Sequence, residues 1–74
     1  MINISPSFEA LLISLNIRKL RKERKLSLNE MACLAKVTKQ TLYKLETNCY
    51  SSRLSTFIKV AIALNMRLYK LFDY

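Results

Sequence analysis

Lys39, Gln40, Tyr43 and Lys44 lie on the opposite side of a helical turn from Leu42 and Leu45, so a helix through them shows two ammonium groups, an amide and a phenol to solvent. The chemistry on offer is recognition, not bond making. An amide donates and accepts side by side, ammonium groups donate, and a phenol does either. Arg53 follows a segment containing Asn48 and Tyr50 and adds a planar guanidinium fork, the side chain best shaped for paired oxyanion oxygens. Upstream, Arg18, Lys19, Arg21, Lys22, Arg24 and Lys25 crowd within eight positions. A solvated helix end, favoured by the helix dipole, accounts for most of these.

The charge as a whole points the same way. Thirteen Lys and Arg against five acidic residues leave a net charge of +8 on 74 residues, which implies attraction to a polyanion. Nucleic acid is the first candidate and an anionic membrane surface the second, but no apolar run approaches the roughly 20 residues of a spanning helix. A soluble chain is expected. The opening Met1-Ile2-Asn3-Ile4 lacks the basic start, long apolar stretch and small-residue cleavage site of a leader, so a cytoplasmic location is expected. Cys33 and Cys49 lie far apart with no histidine, so they read as free thiols and a zinc site is not expected. The absence of glycine removes Gly-rich phosphate loops, and the absence of histidine removes imidazole acid-base catalysis. Neither an enzyme nor a cofactor is expected.

The elements that must position these side chains are helices around one small core. A chain this short buries only about 60% of its unfolded surface, so stability is marginal and dimerisation would help. Ser5-Pro6 marks the start of a first helix, with Phe8, Leu11, Leu12 and Leu15 on one apolar stripe and Ile13, Ile17 and Leu20 on a neighbouring one. Asn16 falls where the stripe shifts, which allows a kink or break. Ser27 and Glu30 form a capping box that opens a second helix from Leu28 to Ala35, with Met31, Ala32, Leu34 and Ala35 inward. Thr38 caps a third helix. Asn48 to Ser52 reads as a loop in which Asn48 takes the left-handed, helix-ending conformation. A fourth helix runs from Leu54 to Leu64 with Leu54, Phe57, Val60, Ala61 and Leu64 buried and Asn65 as its stop. In the tail, Leu64, Leu68, Leu71 and Phe72 fit a short fifth helix, the preferred reading, whereas Met66, Leu68, Lys70 and Phe72 alternate as one face of a strand.

Two short capped helices three residues apart, with the small Ala32 at their crossing, have the geometry of a helix-turn-helix, although many small bundles contain such a pair. From Ile17 to Phe72 the chain resembles the Xre-type, lambda-repressor-like helix-turn-helix family. The resemblance is carried by Ile17-Arg18-Lys19-Leu20-Arg21, Leu26-Ser27-Leu28-Asn29-Glu30-Met31-Ala32, Val37-Thr38-Lys39-Gln40-Thr41-Leu42-Tyr43-Lys44-Leu45-Glu46, and Leu54 through Leu64. Glu46 through Leu68 is also similar to small antitoxins of the HipB type, which repress their own operon and bind a kinase-like toxin.

The resemblance implies an all-α, compact four- to five-helix domain with the helix-turn-helix over 28–46. The length makes residues 1–74 one domain, and the tail 66–74 is expected to contribute to dimerisation because Leu68, Leu71 and Phe72 exceed what one small core needs. It implies double-stranded DNA as partner. Lys39 and Gln40 would reach base edges, lysine to guanine acceptors and glutamine to adenine, with Tyr43 and Lys44 extending the readout one turn further. Thr38, Asn29, Asn48, Tyr50 and Arg53 would contact the DNA backbone, and Arg21 would pair with Glu46 to set the angle of the third helix. Leu28 stands where a phosphate-touching Gln is usual, leaving Asn29 to substitute. Lys36 stands at a turn position usually held by glycine, and Asn48 and Asn65 also stand where glycine is common. Two functions follow: a homodimeric DNA-binding repressor, or an antitoxin whose main work is to neutralise a protein toxin.

Overall fold

The computed structural model describes residues 5–74; residues 1–4, on which the absence of a leader was read, lie outside it. Four α-helices and one 3-10 helix follow in order: α1 (Pro6–Glu23), α2 (Leu28–Ala35), α3 (Lys39–Thr47), α4 (Leu54–Ala63) and the 3-10 helix (Leu68–Phe72). There is no strand among the described residues, and the fold is all-α. α1 packs on α3 and on the 3-10 helix, α2 on α3 and α4, and α4 on the 3-10 helix. Ile17, Met31, Leu42, Leu45, Val60, Leu64 and Leu71 meet at the centre with no exposed surface.

Local chemistry sets the helix ends. Pro6 occupies the first turn of α1, where a missing N–H costs nothing. Ser27 Oγ accepts from the Glu30 N–H at 3.0 Å while Glu30 Oε1 accepts from the Ser27 N–H at 2.8 Å, closing the capping box of α2. Thr38 caps α3 through the Thr41 N–H at 3.0 Å. At the other ends a single device recurs. Lys25, Lys36 and Asn65 adopt φ of 56°, 58° and 56°, and the N–H groups of Leu26, Val37 and Met66 reach back to the carbonyls of Arg21, Ala32 and Ala61. This is the Schellman closure, and each of Leu26, Val37 and Met66 packs against the core as that motif favours.

The structure corrects five expectations. α1 does not kink at Asn16: the helix is continuous, because the Asn16 amide points inward and donates to the carbonyls of Lys70 at 3.1 Å and Leu71 at 2.9 Å. The face of α1 that turns inward is Ala10, Ser14, Ile17 and Arg21, so Phe8, Leu11 and Leu15 are exposed. Leu34 is exposed, since Met31, Ala32 and Ala35 define the inward side of α2. Leu54 is exposed at the first turn of α4, beyond the edge of the core. Asn48 is extended rather than left-handed, at φ −155° and ψ 99°, and its Oδ1 accepts from the Tyr50 N–H at 3.1 Å in a local turn. In the tail a 3-10 helix carries Leu71 into the core and sets Phe72 against Phe57, with ring centroids 5.7 Å apart.

Candidate nucleic-acid interface

α3 owes its position to two kinds of contact. Leu42 and Leu45 anchor its inner side in the core. At its last turn Glu46 is gripped by Arg21 of α1: Arg21 Nε donates to Oε2 at 2.8 Å and Nη2 to Oε1 at 3.0 Å. The remaining arm, Nη1, donates to the Leu26 carbonyl at 2.8 Å. One guanidinium therefore ties α1, the turn into α2 and α3 together. With side-chain exposures of 11% and 4%, both charges are largely desolvated. Their forked geometry offsets that cost but leaves a modest net contribution to stability. The stronger consequence is orientation, since the tilt of α3 cannot change without breaking the pair.

So held, α3 leaves Lys39, Gln40, Thr41, Tyr43, Lys44 and Thr47 exposed. Thr38 has its hydroxyl engaged twice, accepting from the Thr41 N–H and donating to Thr41 Oγ1 at 2.8 Å. Between α3 and the start of α4 lies an open concavity of about 590 Å³. Lys36, Thr38, Lys44, Arg53 and Lys59 line it, with serine and threonine hydroxyls between them. Arg53 stands exposed at the N-terminal boundary of α4, where its donor-only guanidinium cannot cap the helix amides. Four cationic side chains facing one hollow favour an extended anion, and hydroxyls among them suit phosphate oxygens.

The fold thus brings Thr38, Lys44 and Arg53 together and adds Lys36 and Lys59, which the sequence reading missed. The available signal for Lys59 was its place four residues after Ser55, on one exposed face of α4 just beyond Arg53. Lys39 and Gln40 occupy the exposed first turn of α3. Tyr43 opens on the other side, sharing a smaller concavity with Arg18, Arg21, Leu28, Glu46 and Thr47. Tyr50 is not brought to the α3 hollow: it lines a separate cleft with Pro6, Glu9, Ile13 and Phe57. Asn29 is exposed on the first turn of α2, and Asn48 is exposed with its side-chain oxygen engaged by Tyr50.

At α2 the Ser27 backbone N–H, and then its hydroxyl, hold the Glu30 carboxyl below the ordinary carboxylate range. Cys33 and Cys49 are free thiols, and Cys49 donates to the Ala10 carbonyl at 3.3 Å. Among the described residues no helix is long and apolar enough to cross a membrane. No curated protein matches the chain. A family model described as helix-turn-helix matches residues 17–71, from the inward turn of α1 to the core leucine of the 3-10 helix, and the chain belongs to this Xre/lambda-repressor-like helix-turn-helix family of DNA-binding regulators.

Proposed function

We propose that the protein is a sequence-specific transcriptional repressor that reads the major groove with α3 and acts as a homodimer in the cytoplasm, at the nucleoid. The observation that carries this is the exposed polar face of α3, locked in tilt by Arg21 and Glu46 and bordered by the cationic hollow. Gln40 and Lys39 read base edges, and Tyr43 and Lys44 extend the readout. Arg53, Lys36 and Lys59 neutralise phosphates, and Thr38 joins them by turning its hydroxyl proton from Thr41 Oγ1 to a phosphate oxygen. Asn29 and Asn48 are secondary backbone contacts, and Tyr50, in its separate cleft, stays outside the set. Two copies meeting two half-sites about one helical turn apart supply the contact area that one short module lacks. The tail serves this dimer less than its composition suggests, because Leu71 is buried within the monomer. Leu54, Ile58 and Ile62, exposed at four-residue intervals along α4 beside the hollow, are the better surface for the second copy.

The antitoxin reading draws support from Tyr69, Phe72 and Tyr74, which remain exposed on the tail and offer a protein partner apolar area. A toxin-like reading frame beside the gene would favour it.

Titration of variants against a cognate operator and a scrambled duplex at several salt concentrations tests the main reading. Gln40→Ala should cost about 1 to 3 kcal/mol on the operator and leave the scrambled duplex nearly unchanged. Arg53→Ala should weaken both and lower the salt slope by about 1, through one fewer released counterion. Equal losses on both duplexes for Gln40→Ala would remove α3's outer face as the reading surface.

A further inference from the structure

Phe8, Leu11 and Leu15 remain 56%, 43% and 48% exposed along the outer side of α1. They cannot turn inward, because the rotation of α1 is pinned by directional bonds on its other side. The Cys49 N–H donates to Ser14 Oγ at 3.0 Å, Asn16 donates to the Lys70 and Leu71 carbonyls, and Arg21 grips Glu46. These three apolar residues also precede residue 17, where the family match begins, so the shared DNA-reading module does not account for them. The same outer side continues into cations. Leu15 lines one shallow concavity with Arg18, Lys19 and Lys22, beside Glu23. From Phe8 to Lys22 this face runs about four helical turns, apolar in its first half and basic in its second.

We propose that the outer face of α1 is a docking surface for an amphipathic helix of a protein partner whose own face carries leucine-like side chains at one end and carboxylates at the other. Charge complementarity selects this occupant. A second copy has few carboxylates to offer: Glu46 is buried against Arg21, Glu30 is engaged by Ser27 and Glu9 is half-buried, which leaves Glu23, already beside Lys19 and Lys22 on this same face, and the single Asp73 of the tail. A lipid surface fits poorly for a different reason. An interfacial helix carries its cations around the rim of its apolar face, whereas here they share that face and would be driven toward the acyl chains. DNA phosphates could meet Arg18 and Lys22 but have nothing to set against Phe8 and Leu11. A partner helix lying antiparallel places carboxylates at its own N-terminus, where the helix dipole also favours them.

The probe is a fluorescent synthetic peptide of about 18 residues with glutamates on the first half of one face and leucines on the second, titrated with the full chain in the absence of DNA. The wild-type protein should bind it, and a peptide of the same composition with the face scrambled should bind at least about tenfold more weakly. Leu11→Ser/Leu15→Ser, changes at exposed positions that leave the core intact, should weaken binding by about tenfold or more. Arg18→Glu/Lys19→Glu/Lys22→Glu should lose the acidic peptide and gain a lysine-for-glutamate version. Equal binding of the scrambled peptide, or no binding, overturns the proposal. So does sedimentation of the wild-type chain as an oligomer that Leu11→Ser/Leu15→Ser returns to monomer, or leucine-dependent binding to phosphatidylserine vesicles without binding to the peptide.

Discussion

Helix α1 and the α2–α3 pair are attached to the same core by different forces. Among the buried residues of α1, Ser14, Asn16 and Arg21 are polar and only Ala10 and Ile17 are apolar, whereas α2 and α3 bury Met31, Ala32, Ala35, Leu42 and Leu45 beside the one charge of Glu46. Apolar contact is proportional to area and indifferent to direction, so it holds a helix against a core without fixing its rotation sharply. A hydrogen bond to a particular carbonyl has one good geometry. α1 therefore acts as the rigid strut of the molecule, tied to the α3–α4 loop, to the 3-10 helix and to α3, while the pair it supports carries the recognition surface. The outward exposure of Phe8, Leu11 and Leu15 is the cost of setting the strut's rotation by polar groups.

The largest effect is expected at the ion pair. Glu46→Ala leaves the Arg21 guanidinium buried without a carboxylate and should cost about 3 to 5 kcal/mol by denaturant unfolding, whereas Arg21→Met/Glu46→Leu should recover most of that. A loss below about 1 kcal/mol for Glu46→Ala would show that α1 is held by its apolar contacts after all. Next in size is the contrast along α1 itself. Ile17→Ala should cost about 2 to 5 kcal/mol, because Ile17 has no exposed surface, while Leu15→Ala two residues earlier should stay within about 0.5 kcal/mol. Similar losses at both positions would mean that α1 is rotated from the orientation described.

At the helix closures a gain in stability is expected. Lys25 after α1 and Lys36 after α2 both hold the left-handed conformation without being glycine. Lys36→Gly should raise the melting free energy by up to about 1 kcal/mol and Lys25→Gly by a similar amount, whereas Asn65→Gly should change little, since asparagine bears that conformation better. Destabilisation by Lys36→Gly would contradict the closure. The smallest effect separates the two helix starts. Glu30 has its carboxyl pKa lowered in the fold, so its contribution is present above the unfolded value near 4.5 and is lost as pH falls through the lower folded value. The melting-temperature gap between wild type and Glu30→Gln should therefore be visible at pH 7 and narrow as the pH is lowered below about 4.5. Ser5 makes no side-chain cap bond, so Ser5→Ala should leave the melting temperature of α1's domain unchanged at either pH.

Which parts of this architecture could be read without coordinates follows from the range of the interactions involved. The capping box at Ser27 and Glu30, the Thr38 cap and the left-handed stop at Asn65 act within about five residues, and each was legible as a residue type at a fixed offset. The net charge and the polar outer face of α3 were legible for the same reason, since helical periodicity is local. Asn48 shows the limit even there: asparagine suits a left-handed stop and an Asx-type turn alike, and only the path of the following loop chose the turn.

Local sequence sets where α2 and α3 begin, turns Lys39 and Tyr43 to the opposite side of α3 from Leu42, and supplies the excess of cations. Tertiary structure decided which of two apolar stripes on α1 would face the core, and that Lys36 and Lys59 would join Arg53 around one hollow. The deciding bonds join Asn16 to Leu71 and Cys49 to Ser14 across 55 and 35 positions. Periodicity along one helix reports which residues share a side, but not which carbonyl another segment will bring to meet them. That is settled only when distant segments close on one another: in α1 the side with Ile13, Ile17 and Leu20 met the core together with the partners of Ser14, Asn16 and Arg21, and Phe8, Leu11 and Leu15 stayed outside.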